Sequence, residues 1–522
     1  MTGNPQILAN LIRTRAATEP DLDVLTFVDV AADGHFVDEI RTYAQLWQNG
    51  QRIAAALKAL GMQAGDTFAM VMDNHPEFVD LMVASSILGT IFVPIDPRTR
   101  GDKLGYMLDF AECKGAVVAD GARDEVRKAW GGRVDRWILP LNGLGADLPM
   151  PPLEVASTDP EATMQLLFTS GTTGDPKAIL TTHAKFMTGG TVGSILGLTR
   201  ADRPYTGLSL THANAQVITL GMALVMGLRA VVSRRFTKSR LWDITRRYGC
   251  TMFNLLGGMT TAIFAEPRRS DDRDNPVRMV LSAGMPAVIW EDFERRFDVT
   301  ISEFYGAAEG GLTFNIANAG PIGSCGKAPP NLELAVLNED GERCAPGEAG
   351  EICFRNADGS APTVRYFKNP DASARKTAGG WLHMGDIGHL DENGWLFFEY
   401  RIGGGIRRNG DFVNTAFVEK TIAELDAVAD VFVYGVPLPG MAPGEKEVVA
   451  AVVPTDRDQF DPQAVLAACQ ARLDANSVPR FVQVVDEIPK TASEKPQERF
   501  LLQAFDAAAP NVHTQRDWSP RP

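Results

Sequence analysis

At 522 residues the chain exceeds what one compact core holds, so two or more domains are expected, and 45% hydrophobic with 22% charged residues is the composition of an ordinary globular protein. A formal charge of −14 argues against general binding to nucleic acid or anionic membranes, so an anionic ligand has to be met by local basic groups. Cys113, Cys250, Cys325, Cys344, Cys353 and Cys469 are scattered without a CxxC pair or clustered histidines, which speaks against a zinc site or a disulfide framework. With no apolar leader in the first twenty residues and no unbroken apolar run of spanning length, a cytoplasmic protein without a transmembrane segment is expected.

From residue 41 to 118 helical and strand patterns alternate. Leu46, Ile53, Leu57 and Leu60 fall on one helical face that Gly61 can terminate, 67–72 reads as a buried strand, 78–88 as a helix, and Ile91, Phe92, Val93 and Pro94 as the next strand. This is α/β layering over a largely parallel sheet. At 166–180 an apolar run (Leu166, Leu167, Phe168) gives way to Thr169, Ser170, Gly171, Thr172, Thr173 and Gly174, then to Asp175, Pro176, Lys177 and a second apolar run. The pattern is strand, small flexible loop, strand. Its glycines let main-chain N–H groups approach an anion, its hydroxyls add donors, and Lys177 adds a mobile positive charge, so it reads as a polyphosphate cradle in preference to a ligand-free hairpin. It is not a Walker loop, because no Gly-Lys-Ser/Thr follows at the required spacing.

A second α/β unit follows. His183 opens a helix, 208–212 ends a strand at His212, 252–256 is a strand leading into Gly257 and Gly258, and 280–286 brings Ala283, Gly284, Met285 and Pro286 to a strand end. The strand 301–306 ends at Tyr305 and Gly306. Ligands of such sheets lie outside the carboxyl ends of the strands, and the site is placed there. From 322 to 399 short strands separated by Gly, Asn and Asp turns suggest a small β-barrel. Arg401 is followed by Ile402, Gly403, Gly404 and Gly405, read as a hinge. Beyond it a helix (416–425), strands (431–436, 448–453), a helix (464–473) and a strand (481–485) make an α+β unit. The expected fold is therefore α/β: a large N-terminal domain, 1–402, of two α/β subdomains plus a small β-barrel, and a small mobile α+β C-terminal domain, 403–522.

The loop at 169–177 resembles the phosphate-binding signature of the adenylate-forming superfamily, which contains acyl-CoA synthetases, luciferases and peptide-synthetase adenylation domains. The resemblance recurs along nearly the whole chain. In that family a carboxylate attacks the α-phosphate of ATP to give acyl-AMP and pyrophosphate, and a thiol then displaces AMP. By the resemblance, Thr169 to Gly174 and Lys177 hold phosphate, with Gly284, Met285 and Pro286 at the nucleotide. Tyr305, Gly306, Ala307, Ala308 and Glu309 match the motif whose aromatic packs on adenine and whose glutamate holds Mg2+. Asp386, in Trp381-Leu382-His383-Met384-Gly385-Asp386, matches the aspartate that accepts both ribose hydroxyls, and Arg401 matches an arginine near the ribose and phosphate. His212 matches the residue beside the acyl pocket, a steric gate, with Gly257, Gly258, Ala283, Ala307, Gly310 and Gly311 expected to leave room for a bulky or long acid. Lys495, after Ile488-Pro489-Lys490-Thr491, matches the catalytic lysine, and Gly404 the hinge.

Three departures stand out. Ala308 replaces the family's usual threonine, Glu494 a glycine and Pro496 an aliphatic residue, so the adenylating half-reaction is the less supported one. The resemblance implies an acyl-CoA synthetase using ATP or acyl-AMP, CoA and Mg2+ on a carboxylic acid that is not an α-amino acid, since no aspartate stands near His212 to pair with an amine. A ligase that only transfers ready-made acyl-AMP to CoA, and a catalytically silent nucleotide- or acyl-binding protein, stay open beside it. A homodimer is one option for its assembly.

Overall fold

The structure is a computed structural model and describes residues 3–145, 152–169, 176–317, 319–360, 362–401, 406–408, 411–413, 415–438, 441, 446–473, 476–491, 494 and 496–514. One sheet has six strands in the order Trp137–Pro140, Gly115–Val118, Thr67–Val71, Ile91–Ile95, Thr163–Thr169 and Lys177–Thr182, parallel except for the last pair. Its central strand Thr67–Val71 is buried at every position, as a parallel strand covered on both faces requires. The helix Tyr43–Ala59 starts at a capping box in which Thr42 and Gln45 satisfy each other's backbone N–H groups. Leu60 is a correction to the expected apolar face: it caps the helix and is 41% exposed, because the last turn has already carried the chain off the core. The helix Pro76–Leu88 is buried nearly all round, the signature of an element enclosed on every side.

The second sheet has eight strands in the order Leu312–Asn315, Thr300–Gly306, Met279–Ala283, Met252–Leu256, Pro204–Thr206, Ala230–Ser233, Leu25–Val30 and Phe36–Arg41. All neighbours are parallel except the two outermost pairs. Sequence reading assigned 208–212 to a strand; the strand instead ends at Thr206, 208–212 is a turn closed by His212 N–H donating to Ser209 O (3.1 Å), and a π-helical segment Asn214–Gly221 follows. The apolar run there feeds a buried helix, which periodicity cannot tell from a buried strand. Phe27, Val231 and Phe253 of this sheet and Phe68, Met70 and Phe92 of the first belong to one continuous core.

The β-rich unit holds Leu332–Leu337, Gly350–Asn356, Leu382–Leu390 and Leu396–Arg401 as an antiparallel sheet in sequence order. Bridges Phe314↔Lys327 and Gly326↔Leu396 stitch it to the end of the eight-stranded sheet. Gly326 makes that junction possible: its φ is 101°, and a Cβ there would sit 1.9 Å from the Phe314 carbonyl carbon. The C-terminal unit is a four-stranded sheet, Val428–Val436, Glu447–Pro454, Phe481–Val484 and Val512–Thr514, with the helices Thr415–Ala423 and Pro462–Arg472 and its own apolar clusters. The architecture is thus a large N-terminal α/β body and a smaller α+β one; residues 402–405, where the expected boundary falls, lie outside the described residues. No described helix is long and apolar enough to cross a membrane.

Candidate active site

Because Met252–Leu256, Met279–Ala283 and Thr300–Gly306 are adjacent and parallel, their carboxyl ends put Gly257, Gly284 and Gly306 on one edge. The edge is braced by Glu303, fully buried, whose carboxyl group accepts the N–H groups of Gly284 and Met285 (3.1 Å for Met285). Burial pushes the Glu303 carboxyl up to about 8, against the pull of those hydrogen bonds. The glycines here do not leave the open volume expected of them. A Cβ on Gly257 would meet Gly284 O at 3.1 Å, one on Gly310 would meet Leu382 at 3.1 Å, and one on Gly311 would meet Phe354 at 2.6 Å. Their small size serves close packing, with Gly310 and Gly311 also at φ 146° and 69°.

Asp386 is buried on the strand Leu382–Leu390, in register with Arg401 on the neighbouring strand Leu396–Arg401. Arg401 donates from Nε to Asp386 Oδ1 (2.7 Å) and from Nη2 to Oδ2 (3.2 Å), and Tyr305 O–H donates to Oδ2 (2.6 Å). Three motifs separated in sequence therefore meet at one carboxylate. Three donors occupy most of its roughly four acceptor sites, and the Arg401 side chain that supplies two of them is half-exposed. Burial and the Asp386 charge hold the Tyr305 phenol far above its ordinary range, so it remains a donor. Its ring lies 6.3 Å from that of Phe354 at 15°, a stacked pair with one face walled. Behind Asp386, Glu351 accepts Gly385 N–H (3.0 Å) and lies 2.8 Å from His383 Nδ1, with Cys353 Sγ 3.6 Å from the same nitrogen. These contacts fix the turn at Gly385, whose φ is 74°.

Glu309 stands in a tight turn in which Ala307 and Gly310 exchange backbone hydrogen bonds (3.2 and 3.1 Å). Tyr366 O–H donates to Glu309 Oε1 (2.8 Å). Residues 365–367 pair along the edge strand Lys177–Thr182, which brings Tyr366 to the phosphate hairpin, and Lys177 Nζ lies 5.5 Å above its ring. Lys376 donates to Met384 O (3.2 Å), and burial lowers its pKa against the opposing charges of Glu309 and Asp386. Lys185 donates to the carbonyls of Ala308 and Glu309 (3.1 Å for the second). One carboxylate oxygen of Glu309 stays without a hydrogen bond among the described residues, and the charge of Glu309 acts on the nearby ammonium groups of Lys185 and Lys376; a free carboxylate oxygen is a donor that fits a hard divalent cation.

The hairpin strands flanking residues 170–175 pair in register from Gln165↔Thr181 to Thr169↔Lys177, with a shift between Thr163 and Gln165, but Ser170, Gly171, Thr172, Thr173 and Gly174 lie outside the described residues, as do Gly404 and Lys495. His212 sits half-buried in the turn before the π-helical segment. The turn that ends in Glu494 and Pro496 is closed by Gln497 N–H to Pro489 O (2.7 Å) and rests on the first sheet: Arg98 Nη2 donates to Thr491 O (3.3 Å) and Arg98 Nη1 lies 3.7 Å from Glu494 Oε1. Arg98 follows the strand Ile91–Ile95, the parallel neighbour of Thr163–Thr169, so this contact is at the edge where the phosphate loop begins. Glu494 has φ 58°, a left-handed conformation that glycine takes without strain. Lys185, Tyr366 and Glu303 were not found from sequence; each is a lone residue outside any motif, and only its long-range contact gives it a role.

The family description "AMP-binding enzyme" matches residues 12–361, and "AMP-binding enzyme C-terminal domain" matches residues 418–495. A medium/long-chain-fatty-acid–CoA ligase of Mycobacterium marinum is 30% identical over 478 residues, 90% of this chain and 92% of that protein. Among solved structures, the anthranilate CoA ligase AuaEII in complex with anthranoyl-AMP superposes with a TM-score of 0.81 at 22% identity, covering 95% of this chain and 96% of that one. The O-succinylbenzoate Coenzyme A synthetase of Bacillus subtilis in complex with ATP and magnesium ion gives 0.76 at 24% identity, covering 94% and 99%. These two likenesses establish the fold.

Proposed function

This chain belongs to the AMP-binding enzyme family and is an AMP-forming acyl-CoA ligase, and on that premise we propose that its acid is a bulky or long hydrophobic carboxylic acid. The observation that carries the nucleotide half of the reading is the meeting of Tyr305, Asp386 and Arg401 at one buried carboxylate, beside a turn that holds Glu309 at the phosphate hairpin. In the first half-reaction a carboxylate oxygen of the acid attacks the α-phosphorus of ATP and the bond to pyrophosphate breaks. In the second the CoA sulfur, its proton given up, attacks the acyl carbon and the C–O bond to AMP breaks. Neither step needs a covalent bond to the protein; positioning and charge stabilisation suffice. Asp386 and Arg401 hold the ribose side, Lys177 and residues 169–174 the phosphates, and Lys495 the reacting oxygens. Glu309 would hold Mg2+, and the ion would supply neutralisation of polyphosphate charge.

The hydrophobic acid is supported by the curated relative, named for medium- and long-chain fatty acids, and by the acyl side of the site. Residues 208–216 offer His212 and amides but no carboxylate, and Glu303 spends its oxygens on Gly284 and Met285. The test is a panel of straight-chain acids from acetate to hexadecanoate with ATP, Mg2+ and CoA. Each buried methylene is worth about 0.8 kcal/mol, so kcat/KM is expected to climb about fourfold per carbon over the middle of the series. Acetate or propionate as the best substrate would refute the reading.

A second feature of the reading is unequal half-reactions. The methyl group of Ala308 packs with Tyr305 and Ala307 against the apolar cluster of the β-rich unit, so this position has no hydroxyl to offer phosphate. Loss of one charge-stabilising donor typically costs about 2.7–4 kcal/mol, and formation of acyl-AMP from ATP is therefore slower than transfer of acyl-AMP to CoA.

A further inference from the structure

Lys185 lies in the first turn of the helix His183–Ile195, where Thr182 caps the helix by accepting Lys185 N–H (3.2 Å). That cap follows directly on the strand Lys177–Thr182, so the backbone of Lys185 is fixed relative to the phosphate hairpin. Its ammonium group donates to two successive carbonyls of one turn, Ala308 O and Glu309 O (3.1 Å for the second), across 123 and 124 residues of chain. A buried ammonium whose contacts are carbonyls and not a carboxylate is costly, and an apolar side chain of the same length would fill the space without that cost. Among the described residues the opposing charge that acts on it is the Glu309 carboxylate, at a distance. Tyr366 grips Glu309 from the other end, at Oε1.

We propose that Lys185 is a positioning residue for Glu309: its ammonium pins the peptide units on both sides of the Glu309 Cα, Tyr366 pins one carboxylate oxygen, and the second oxygen is left presented to a divalent cation on the nucleotide polyphosphate. With alanine at 308, the turn has no side-chain donor of its own, and Lys185 takes over the ordering of that turn from the far side. The inference rests on the reading of Glu309 as the metal-holding residue. It separates two kinds of ligand. AMP, held at Tyr305, Asp386 and Arg401, is indifferent to Lys185, whereas ATP with its metal is not.

The experiment is calorimetric titration of the full-length protein with AMP and with Mg2+-ATP, in the absence of acid and CoA so that no turnover occurs, accompanied by thermal unfolding. Lys185→Met is expected to unfold at the same or a higher temperature, to bind AMP as the unmodified protein does, and to bind Mg2+-ATP about tenfold more weakly. Lys185→Arg, which keeps the charge and the donors, is expected to recover most of that loss. Glu309→Gln is expected to show the same selective loss as Lys185→Met. Selective loss in Glu309→Gln with unchanged Mg2+-ATP binding in Lys185→Met would overturn the role of Lys185. Unchanged Mg2+-ATP binding in Glu309→Gln would instead overturn the metal reading beneath it. Equal weakening of AMP and Mg2+-ATP in Lys185→Met would count as general damage and against the proposal. If Lys185→Met does not fold, Lys185→Gln, which can still donate to one carbonyl, is judged by the same outcomes.

Discussion

Tyr305, Glu309, Asp386 and Arg401 were singled out in the sequence by resemblance to a family pattern, and the structure brings Tyr305 and Arg401 to the Asp386 carboxylate. The partners of Glu309 were not. Tyr366 reaches Glu309 across 57 residues and Lys185 reaches the same turn across more than 120, and no local pattern marks a tyrosine or lysine for such a contact. Glu303 is another such residue, and its burial has a consequence for stability. In an unfolded chain its carboxyl ionises near 4.5, in the folded protein near 8. Below the first value both states are protonated and its contribution is fully present; between the two the unfolded chain releases a proton that the folded one keeps, so stability falls as pH rises, by up to about 1.4 kcal/mol per pH unit for one group. Glu303→Gln, which keeps an acceptor for Gly284 and Met285, is expected to flatten the decline of the unfolding temperature between about pH 5 and 8. Parallel melting curves for the two proteins across that range would show that Glu303 is ionised in the fold.

Elements with a strong period or a strong cap were legible: the capped helix Tyr43–Ala59, the strands ending at Gly257, Gly284 and Gly306, and the hairpin around residues 170–175. The segment 208–221 was not, because a buried π-helical stretch and a buried strand are both continuous apolar runs. Nor was the pairing of Leu25–Val30 with Ala230–Ser233, two hundred residues away, since sheet order is set by packing and not by local pattern. The glycines misled for a physical reason: a missing side chain is as useful for close approach as for open volume, and sequence does not distinguish them. Gly326 shows the first use most sharply. Gly326→Ala adds a methyl group against the Phe314 carbonyl at a φ of 101°, where backbone must move, and is expected to cost roughly 3 kcal/mol or more in chemical denaturation. A loss below about 1 kcal/mol would mean that the junction between the eight-stranded sheet and the β-rich unit is not tightly made.

At the scale of the whole molecule, Thr491 and Glu494 of the C-terminal unit rest on Arg98, which follows the strand Ile91–Ile95 beside the hairpin strand Thr163–Thr169. Glu494, which on sequence grounds threatened the adjacent lysine with a counter-charge, has Arg98 of the large domain as its partner, an ion pair of which the arginine side is half-exposed and so worth about 0–1 kcal/mol. On the proposed reading the adenylating half-reaction still carries two departures from the family pattern, the missing hydroxyl at Ala308 and the proline at 496. The most direct test measures the two halves separately under single-turnover conditions with one acid: acyl-AMP formation from ATP, Mg2+ and dodecanoate, and dodecanoyl-CoA formation from synthetic dodecanoyl-AMP and CoA. The account predicts that both proceed and that CoA transfer is faster by about two orders of magnitude; acyl-AMP formation that keeps pace with CoA transfer, or a protein that performs neither step on dodecanoate, would contradict it.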